Sequence, residues 1–127
     1  MKLTSVHYFL ILIIAVLVLL VGTKYYNTVK PGAYDEFAQC LTDNGATFYG
    51  AFWCPHCAEQ KDMFGNSMEF VKYVECSLPS GQGQTDECNE VGIETYPTWE
   101  FADGSRLTGV QSFETLAEKT SCELTKE

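Results

Sequence analysis

The N-terminal part of the chain differs from the rest in its pattern of hydrophobic and polar residues. Between Val6 and Gly22 only His7 is polar, and the run from Phe9 to Val21 is unbroken in its apolar character. A helix over this stretch is about 25 Å long, close to the ~30 Å core of a bilayer. No A-x-A cleavage site follows it. The pattern predicts a membrane anchor at residues 1–23, with a cleaved signal peptide as the alternative.

Beyond a linker predicted at residues 24–33, helical and strand-like patterns alternate through a domain predicted at 34–127. Phe37, Cys40 and Leu41 share one face of a helix that ends near Gly45. An apolar run from Ala46 to Trp53 predicts a buried strand. The other predicted elements are a helix at 54–66, a strand at 70–76, a loop at 78–85, a short helix at 85–93, a hairpin at 96–110 and a helix at 112–122.

This order of elements predicts an α/β fold in which a central mixed sheet carries helices on both faces. The first strand–helix–strand unit crosses over with the usual right hand, and the hairpin adds antiparallel strands. With 127 residues the chain is long enough for one small domain. No internal repeat or low-complexity segment interrupts it.

Charge and cysteine content narrow the class of protein and its compartment. The chain has 17 acidic and 8 basic residues, which argues against a nucleic-acid partner. Its six cysteines are typical of an oxidising compartment. Both interpretations of the N-terminal segment carry the domain across a membrane. The predicted location is therefore the cell membrane, single-pass, with the domain outside the cytoplasm.

The stretch Trp53-Cys54-Pro55-His56-Cys57 contains the strongest chemical signal. Pro55 suits the first turn of a helix, and the unpaired N–H groups there favour a thiolate at Cys54. Cys57 lies one turn further on the same face. We therefore predict Cys54 as an exposed nucleophile, Cys57 as the resolving thiol and His56 as a residue that tunes the pair, with an ordinary surface histidine as the alternative for His56. This chemistry needs neither a cofactor nor a metal.

The other cysteines leave alternatives open. Cys76 and Cys88 bracket a glycine-rich loop, and a bond between them would act as a structural disulfide or as a second redox pair. Together with Cys54 and Cys57 they could instead form a zinc site, although eleven residues separate the second pair. For Cys40 and Cys122, two buried thiols and a disulfide are equally compatible with the sequence.

Two motifs give the chain a family resemblance. Trp53-Cys54-Pro55-His56-Cys57 stands at a strand-to-helix junction, and Tyr96-Pro97-Thr98 precedes the hairpin. In both respects the stretch from Tyr34 to Cys122 resembles the thioredoxin family. The resemblance implies a thioredoxin fold that lacks its first strand, with Pro97 as a cis-proline facing the cysteine pair. It also implies that Trp53, Pro55, Tyr96 and Pro97 bind the substrate.

The segments "YGAFWCPHC", "YVEC" and "YPTWEF" are more closely similar to the thioredoxin-like domain fused to bacterial homologues of vitamin K epoxide reductase. Here a single anchor replaces the membrane enzyme, so the resemblance implies a separate membrane redox partner. Phe48 occupies the position of a buried acid in cytosolic thioredoxins. The Pro-His dipeptide is the one found in the DsbA family, which implies thiol oxidation.

We therefore expect a membrane-anchored thiol–disulfide oxidoreductase that acts on protein thiols or disulfides. The expected direction is thiol oxidation, or relay of electrons to a membrane partner. The alternatives are a reductase or isomerase of the same fold, and a non-catalytic binding module.

Overall fold

The N-terminal unit contains one long helix. The computed structural model describes residues 5–125, except for the side chains of residues 28 and 29. Helix α1 spans Ser5–Val29, and within it Ser5–Asn27 is long and apolar enough to cross a membrane, as a signal sequence also is. The helix continues past residue 23 into the predicted linker, because the first helix-breaking pair in this region is Pro31-Gly32. The chain divides into two units between Lys30 and Pro31.

The second unit contains a four-stranded mixed sheet in the order β2-β1-β3-β4. Strand β1 pairs parallel with β2 and antiparallel with β3, and β3 pairs antiparallel with β4. The element bounds are α2 (Asp35–Asp43), β1 (Thr47–Gly50), α3 (Pro55–Phe64), a 3-10 helix (Gly65–Phe70), β2 (Tyr73–Glu75), α4 (Asp86–Glu90), β3 (Thr98–Glu100), β4 (Arg106–Thr108) and α5 (Phe113–Thr120). The predicted α/β class, mixed sheet and helix order are confirmed.

Helices cover both faces of the sheet, as predicted. On one face, Phe48 of β1 stacks on Trp99 of β3 with ring centroids 4.9 Å apart, and α2, α3 and α5 contribute Phe37, Phe64 and Phe113 to the same core. On the other face, Tyr49 of β1 packs with residues of α4 and its flanking loops. The alternation of Phe48 and Tyr49 follows from the two-residue period of a strand.

Local caps set several of the element ends that the sequence indicates. The Thr85 side chain accepts a hydrogen bond from the N–H of Cys88 and begins α4, and the Ser112 side chain accepts one from the N–H of Thr115 and begins α5. Gly104 has a φ of +77° in the hairpin turn, a conformation that favours glycine.

Two predicted strands are shorter in the structure. Strand β1 ends at Gly50 rather than at Trp53, because the backbone turns there and the N–H of Cys54 bonds to the carbonyl of Ala51 at 3.0 Å. Strand β2 starts at Tyr73 rather than at Phe70, because Phe70 closes the 3-10 helix that follows α3. Both apolar runs therefore contain a turn that hydrophobicity alone does not reveal.

Two disulfides connect distant parts of the domain. Cys40 in α2 is bonded to Cys122 just beyond α5, with Cα atoms 6.0 Å apart and a sequence separation of 82. Cys76 is bonded to Cys88 with a Cα separation of 5.6 Å. The bond between Cys40 and Cys122 resolves the alternative left open by the sequence in favour of a disulfide, and the predicted pairing of Cys76 with Cys88 is confirmed.

Candidate redox site

The turn between β1 and α3 positions the cysteine pair. Cys54 is the N-cap residue of α3, and Pro55 occupies the first helical turn, where its missing N–H costs no hydrogen bond. The carbonyl of Cys54 accepts a hydrogen bond from the N–H of Ala58 at 3.1 Å. Cys54 and Cys57 are both free thiols. Cys54 thus lies beyond the carboxyl end of strand β1, at the start of helix α3.

The segment that precedes β3 faces Cys54. The peptide bond between Tyr96 and Pro97 is cis, and the sulfur of Cys54 lies 3.8 Å from the carbonyl oxygen of Tyr96. The register that pairs Tyr49 with Thr98 brings the two segments together. Because this segment covers Cys54, the side chain retains only 6% of its accessible surface. The prediction of an exposed nucleophile was wrong in degree, although Cys54 remains more accessible than Cys57.

Cys57 lies deeper, on the sheet side of α3, with 1% of its surface accessible. The pKa of the Cys57 thiol is raised to about 12, chiefly by burial and also by the neighbouring Cys54, while the Ala51 backbone and the positive charge of Lys61 act in the opposite direction. The cause is the cost of placing a thiolate in an apolar environment. The two thiols of the pair therefore differ in depth.

This difference predicts selective alkylation. In the folded, reduced protein we expect iodoacetamide to modify Cys54 and to leave Cys57 unmodified well into the alkaline range, because the thiolate is the reactive form. Since the folded-state pKa of Cys57 lies above that of an unfolded cysteine, the reduced domain also loses stability as the pH rises from about 8.5 towards about 12. Peptide mass after timed alkylation measures the effect, with urea-unfolded protein as the control. Equal labelling of both cysteines in the folded protein would contradict it.

An aromatic wall stands beside Cys54. Trp53 keeps 52% of its surface accessible, its Nε1–H donates to Ser77 Oγ at 2.8 Å, and its ring meets that of Tyr96 edge-to-face at 6.0 Å. The Tyr96 hydroxyl donates to Gln84 Oε1. The structure therefore places Trp53, Tyr96 and Pro97 together, and Pro55 lies exposed at the start of α3. That these residues bind the substrate stays a prediction.

The loop closed by the disulfide between Cys76 and Cys88 supports this wall. Ser77 and Gln84, the two residues that bond to Trp53 and Tyr96, both belong to it. Gly81, with a φ of +74°, brings the loop close enough that a Cβ at this position would lie 3.7 Å from the Phe52 ring. The two cysteines that close the loop, Cys76 and Cys88, are fully buried.

His56 points away from the pair. Its imidazole Nδ1 lies 3.5 Å from Glu59 Oε2, and both side chains are largely exposed on the outer side of α3. His56 and Glu59 stand three positions apart, a spacing at which helical side chains meet. The tuning role of His56 stays a prediction.

Phe48, at the position compared with the buried acid of cytosolic thioredoxins, is fully buried against Trp99. A phenyl ring therefore stands where that carboxyl group would be. Sequence reasoning did not identify Tyr73, which lies near Cys57, or Glu75, which accepts a hydrogen bond from the Tyr73 hydroxyl. The two-residue period of β2 puts them on one side of the strand, and this was the signal available in the segment "YVEC".

The disulfide between Cys76 and Cys88 excludes the zinc site that the sequence left open. Because Cys76 and Cys88 are bonded to one another, they are not available to complete a site with Cys54 and Cys57. Within residues 5–125, no group of three or more His, Cys, Asp or Glu side chains is placed to hold a metal ion.

Comparison with known proteins points to the same chemistry. No family model matches the chain. Over 107 residues, 80% of its length, the chain is 41% identical to the thiol-disulfide oxidoreductase LTO1 of Arabidopsis thaliana, and it spans 28% of that protein. The chain thus has a thioredoxin-like fold built around a CxxC pair, and most of its length is similar to one part of a thiol–disulfide oxidoreductase.

Proposed function

We propose that this protein is a membrane-anchored thiol–disulfide oxidoreductase whose Cys54–Cys57 pair oxidises protein thiols. The observation that carries the proposal is the arrangement of Cys54 at the start of α3, with its sulfur beside the Tyr96 carbonyl and Cys57 buried one turn behind it. The similarity to a thiol–disulfide oxidoreductase over most of the chain supports it.

The reaction exchanges one disulfide for another. A substrate thiolate attacks Cys54 Sγ, the bond between Cys54 and Cys57 breaks, and Cys57 leaves as a thiolate that takes up a proton. A second substrate thiolate then attacks the substrate sulfur of the mixed disulfide, and Cys54 leaves. The substrate loses two electrons and gains a disulfide, while Cys54 and Cys57 end as thiols.

The different depths of the two cysteines assign their roles. Cys57 is too deeply buried for attack by a protein substrate, so the mixed disulfide forms on Cys54. Cys54 is also the N-cap residue of α3, so the sulfur that reacts with the substrate lies at the start of this helix.

Substrate binding is assigned to Trp53, Pro55, Tyr96 and Pro97. Trp53 and Phe52 expose 52% and 58% of their surfaces beside the pair, and an aromatic surface of this kind binds an extended apolar segment around a substrate cysteine. The main chain at Tyr96 offers a carbonyl next to the reacting sulfur.

A membrane redox partner completes the cycle in this proposal. Each turnover leaves two thiols, so a partner must accept two electrons before the next one. Helix α1 would hold the domain near such a partner and raise its effective concentration. The resemblance to a domain fused to vitamin K epoxide reductase homologues supports this arrangement, with the domain outside the cytoplasm.

The disulfide between Cys76 and Cys88 is assigned a structural role. Both residues are fully buried, on the face of the sheet opposite the main core. Their loop carries the contacts to Trp53 and Tyr96. A buried bond of this kind is a poor relay, because thiol–disulfide exchange needs access to the sulfur.

The proposal is tested with the full chain in detergent. The oxidised protein is mixed with a reduced peptide containing two cysteines, and we expect one peptide disulfide to form for each Cys54–Cys57 bond consumed. A binding module without redox activity would bind the peptide and leave its thiols free. That outcome would overturn the proposal.

The direction of electron flow is tested in cells. After quenching with acid and alkylation of free thiols, the masses of the peptides that contain Cys54 and Cys57 report their redox state. A mostly oxidised pair is expected of an oxidant that a membrane partner recharges. A mostly reduced pair would identify a reductase or isomerase instead.

A further inference from the structure

The buried side of Cys57 faces the phenol of Tyr73. A Cβ placed on Gly50 would lie 3.0 Å from Cys57 Sγ, 3.0 Å from Tyr73 Cε2 and 3.4 Å from the Tyr73 hydroxyl oxygen. The sulfur and the hydroxyl therefore approach the same point, and the glycine leaves no side chain between them. Both atoms lie within 3.4 Å of that point, a spacing that one water molecule can bridge.

Tyr73 in turn is connected to Glu75. The Tyr73 hydroxyl donates to Glu75 Oε2 at 2.7 Å, and Glu75 Oε1 accepts hydrogen bonds from the N–H groups of Phe52 at 3.2 Å and Ser77 at 2.9 Å. Glu75 is only partly buried, so its carboxylate exchanges protons with solvent. A continuous set of contacts thus runs from the neighbourhood of Cys57 to the surface.

The other groups around Cys57 do not provide such a route. The Ala51 backbone contributes a hydrogen bond to Cys57 but no titratable group, and Cys54 is the reaction partner itself. Lys61, whose Nζ lies 3.7 Å above the centre of the Tyr73 ring, offers a positive charge that favours a thiolate or a tyrosinate. The charge of Lys61 therefore supports the transfer of a proton from Cys57 through Tyr73 towards Glu75.

Cys57 needs a proton route because its charge changes in each cycle. It leaves as a thiolate when a substrate attacks Cys54, and it must lose a proton before it can attack a mixed disulfide on Cys54. A buried thiol cannot exchange that proton with bulk water directly, and burial makes its charged form costly.

We propose that Tyr73 and Glu75 form the route by which Cys57 exchanges its proton with solvent, which rests on the redox function proposed above. When Cys57 is activated, its proton passes to the Tyr73 oxygen while the Tyr73 hydroxyl proton passes to the Glu75 carboxylate. When Cys57 leaves as a thiolate, the same steps run in reverse. Glu75 acts through Tyr73 and is a positioning residue, not a catalytic one.

The reaction of Cys54 and the reaction of Cys57 can be measured separately with a chromogenic aryl disulfide. Cys54 of the reduced full chain attacks the reagent and releases one aryl thiolate, and Cys57 then attacks the adduct and releases the second. The first release reports Cys54 and the second reports Cys57. Both rates are measured from mildly acidic to alkaline pH in Tyr73→Phe, Glu75→Gln and the wild-type protein.

We expect both substitutions to slow the second release by about tenfold or more near neutral pH and to leave the first release unchanged. The deficit should shrink at alkaline pH, where hydroxide removes the Cys57 proton. Phenylalanine keeps the ring, and glutamine keeps an acceptor for the Phe52 and Ser77 N–H groups, so a structural role alone would not change the pH profile. Tyr49→Phe is the matched control, because Tyr49 is a buried tyrosine that packs on the opposite face of the sheet.

A second release with the wild-type pH profile in both variants would overturn the proton route. Failure of the wild-type protein to show a second release would instead overturn the proposed redox function, so the two failures are distinguishable.

Discussion

Replacing Cys54 by serine is expected to abolish thiol–disulfide exchange, with a loss of about a thousandfold or more, as for removal of an enzyme nucleophile. Cys57 alone cannot take over, because only 1% of its surface is accessible and burial raises its pKa to about 12. A serine hydroxyl fits the N-cap position well, so the fold is retained. The measurement is the rate of peptide oxidation by the full chain.

The Cys57→Ser substitution tests the resolving role of Cys57 and complements Cys54→Ser. Cys54 then still attacks a substrate disulfide but nothing resolves the adduct, so a mixed disulfide accumulates and is seen by intact mass without reductant. The variant without Cys40 and Cys122 controls for loss of cysteine in general, because it keeps both reactive thiols. Exchange by Cys54→Ser at the wild-type rate would contradict the assignment of the nucleophile.

Removing the long-range disulfide is expected to cost the domain a large share of its stability. For a loop of 82 positions, the chain-entropy estimate gives a loss of about 4 kcal/mol in the free energy of unfolding for the Cys40→Ala and Cys122→Ala double variant. A domain of this size has about 5–15 kcal/mol in total. Without the bond, the two ends of the domain are still joined by the packing of α2 against α5, which includes the contact of Phe37 with Phe113 at 5.4 Å.

Urea unfolding of the oxidised double variant and of the wild-type protein measures the loss. The reactive pair provides an internal check, since Cys54 and Cys57 lie outside this bond and their exchange rates in the folded variant should match the wild type. A change below about 1 kcal/mol, well under the range usual for disulfides, would contradict the prediction.

Much of the fold was predictable because its signals are local. The helical face of Phe37 and Leu41, the apolar run of β1 and the capping residues Thr85 and Ser112 each act within a few positions. The ends of β1 and β2 were not predictable, because Ala51 and Phe70 are as apolar as the strand residues beside them. Only the turn geometry separates them from the strands.

The candidate site likewise contains some features that a local sequence pattern predicts and others that it does not. Cys54 and Cys57 are recognisable because their chemistry depends on spacing, and the segment at Tyr96-Pro97 because it forms a motif. The bond between Cys40 and Cys122 depends on how α2 and α5 pack, which no local pattern encodes. The neighbourhood of Tyr73 and Cys57 was hidden for another reason, because it depends on the missing side chain of Gly50, a residue that on its own indicates nothing.

The disulfide between Cys40 and Cys122 has a consequence for the biogenesis of the protein. A newly made chain carries six thiols, which can pair in fifteen ways, and only one cysteine of this bond is near the start of the domain. The bond cannot close until the last helix has been synthesised and docked, since Cys122 follows α5. The oxidation that joins the two ends of the domain therefore follows the docking of the last helix, and each new copy of this protein is first a substrate of the kind of chemistry proposed for it.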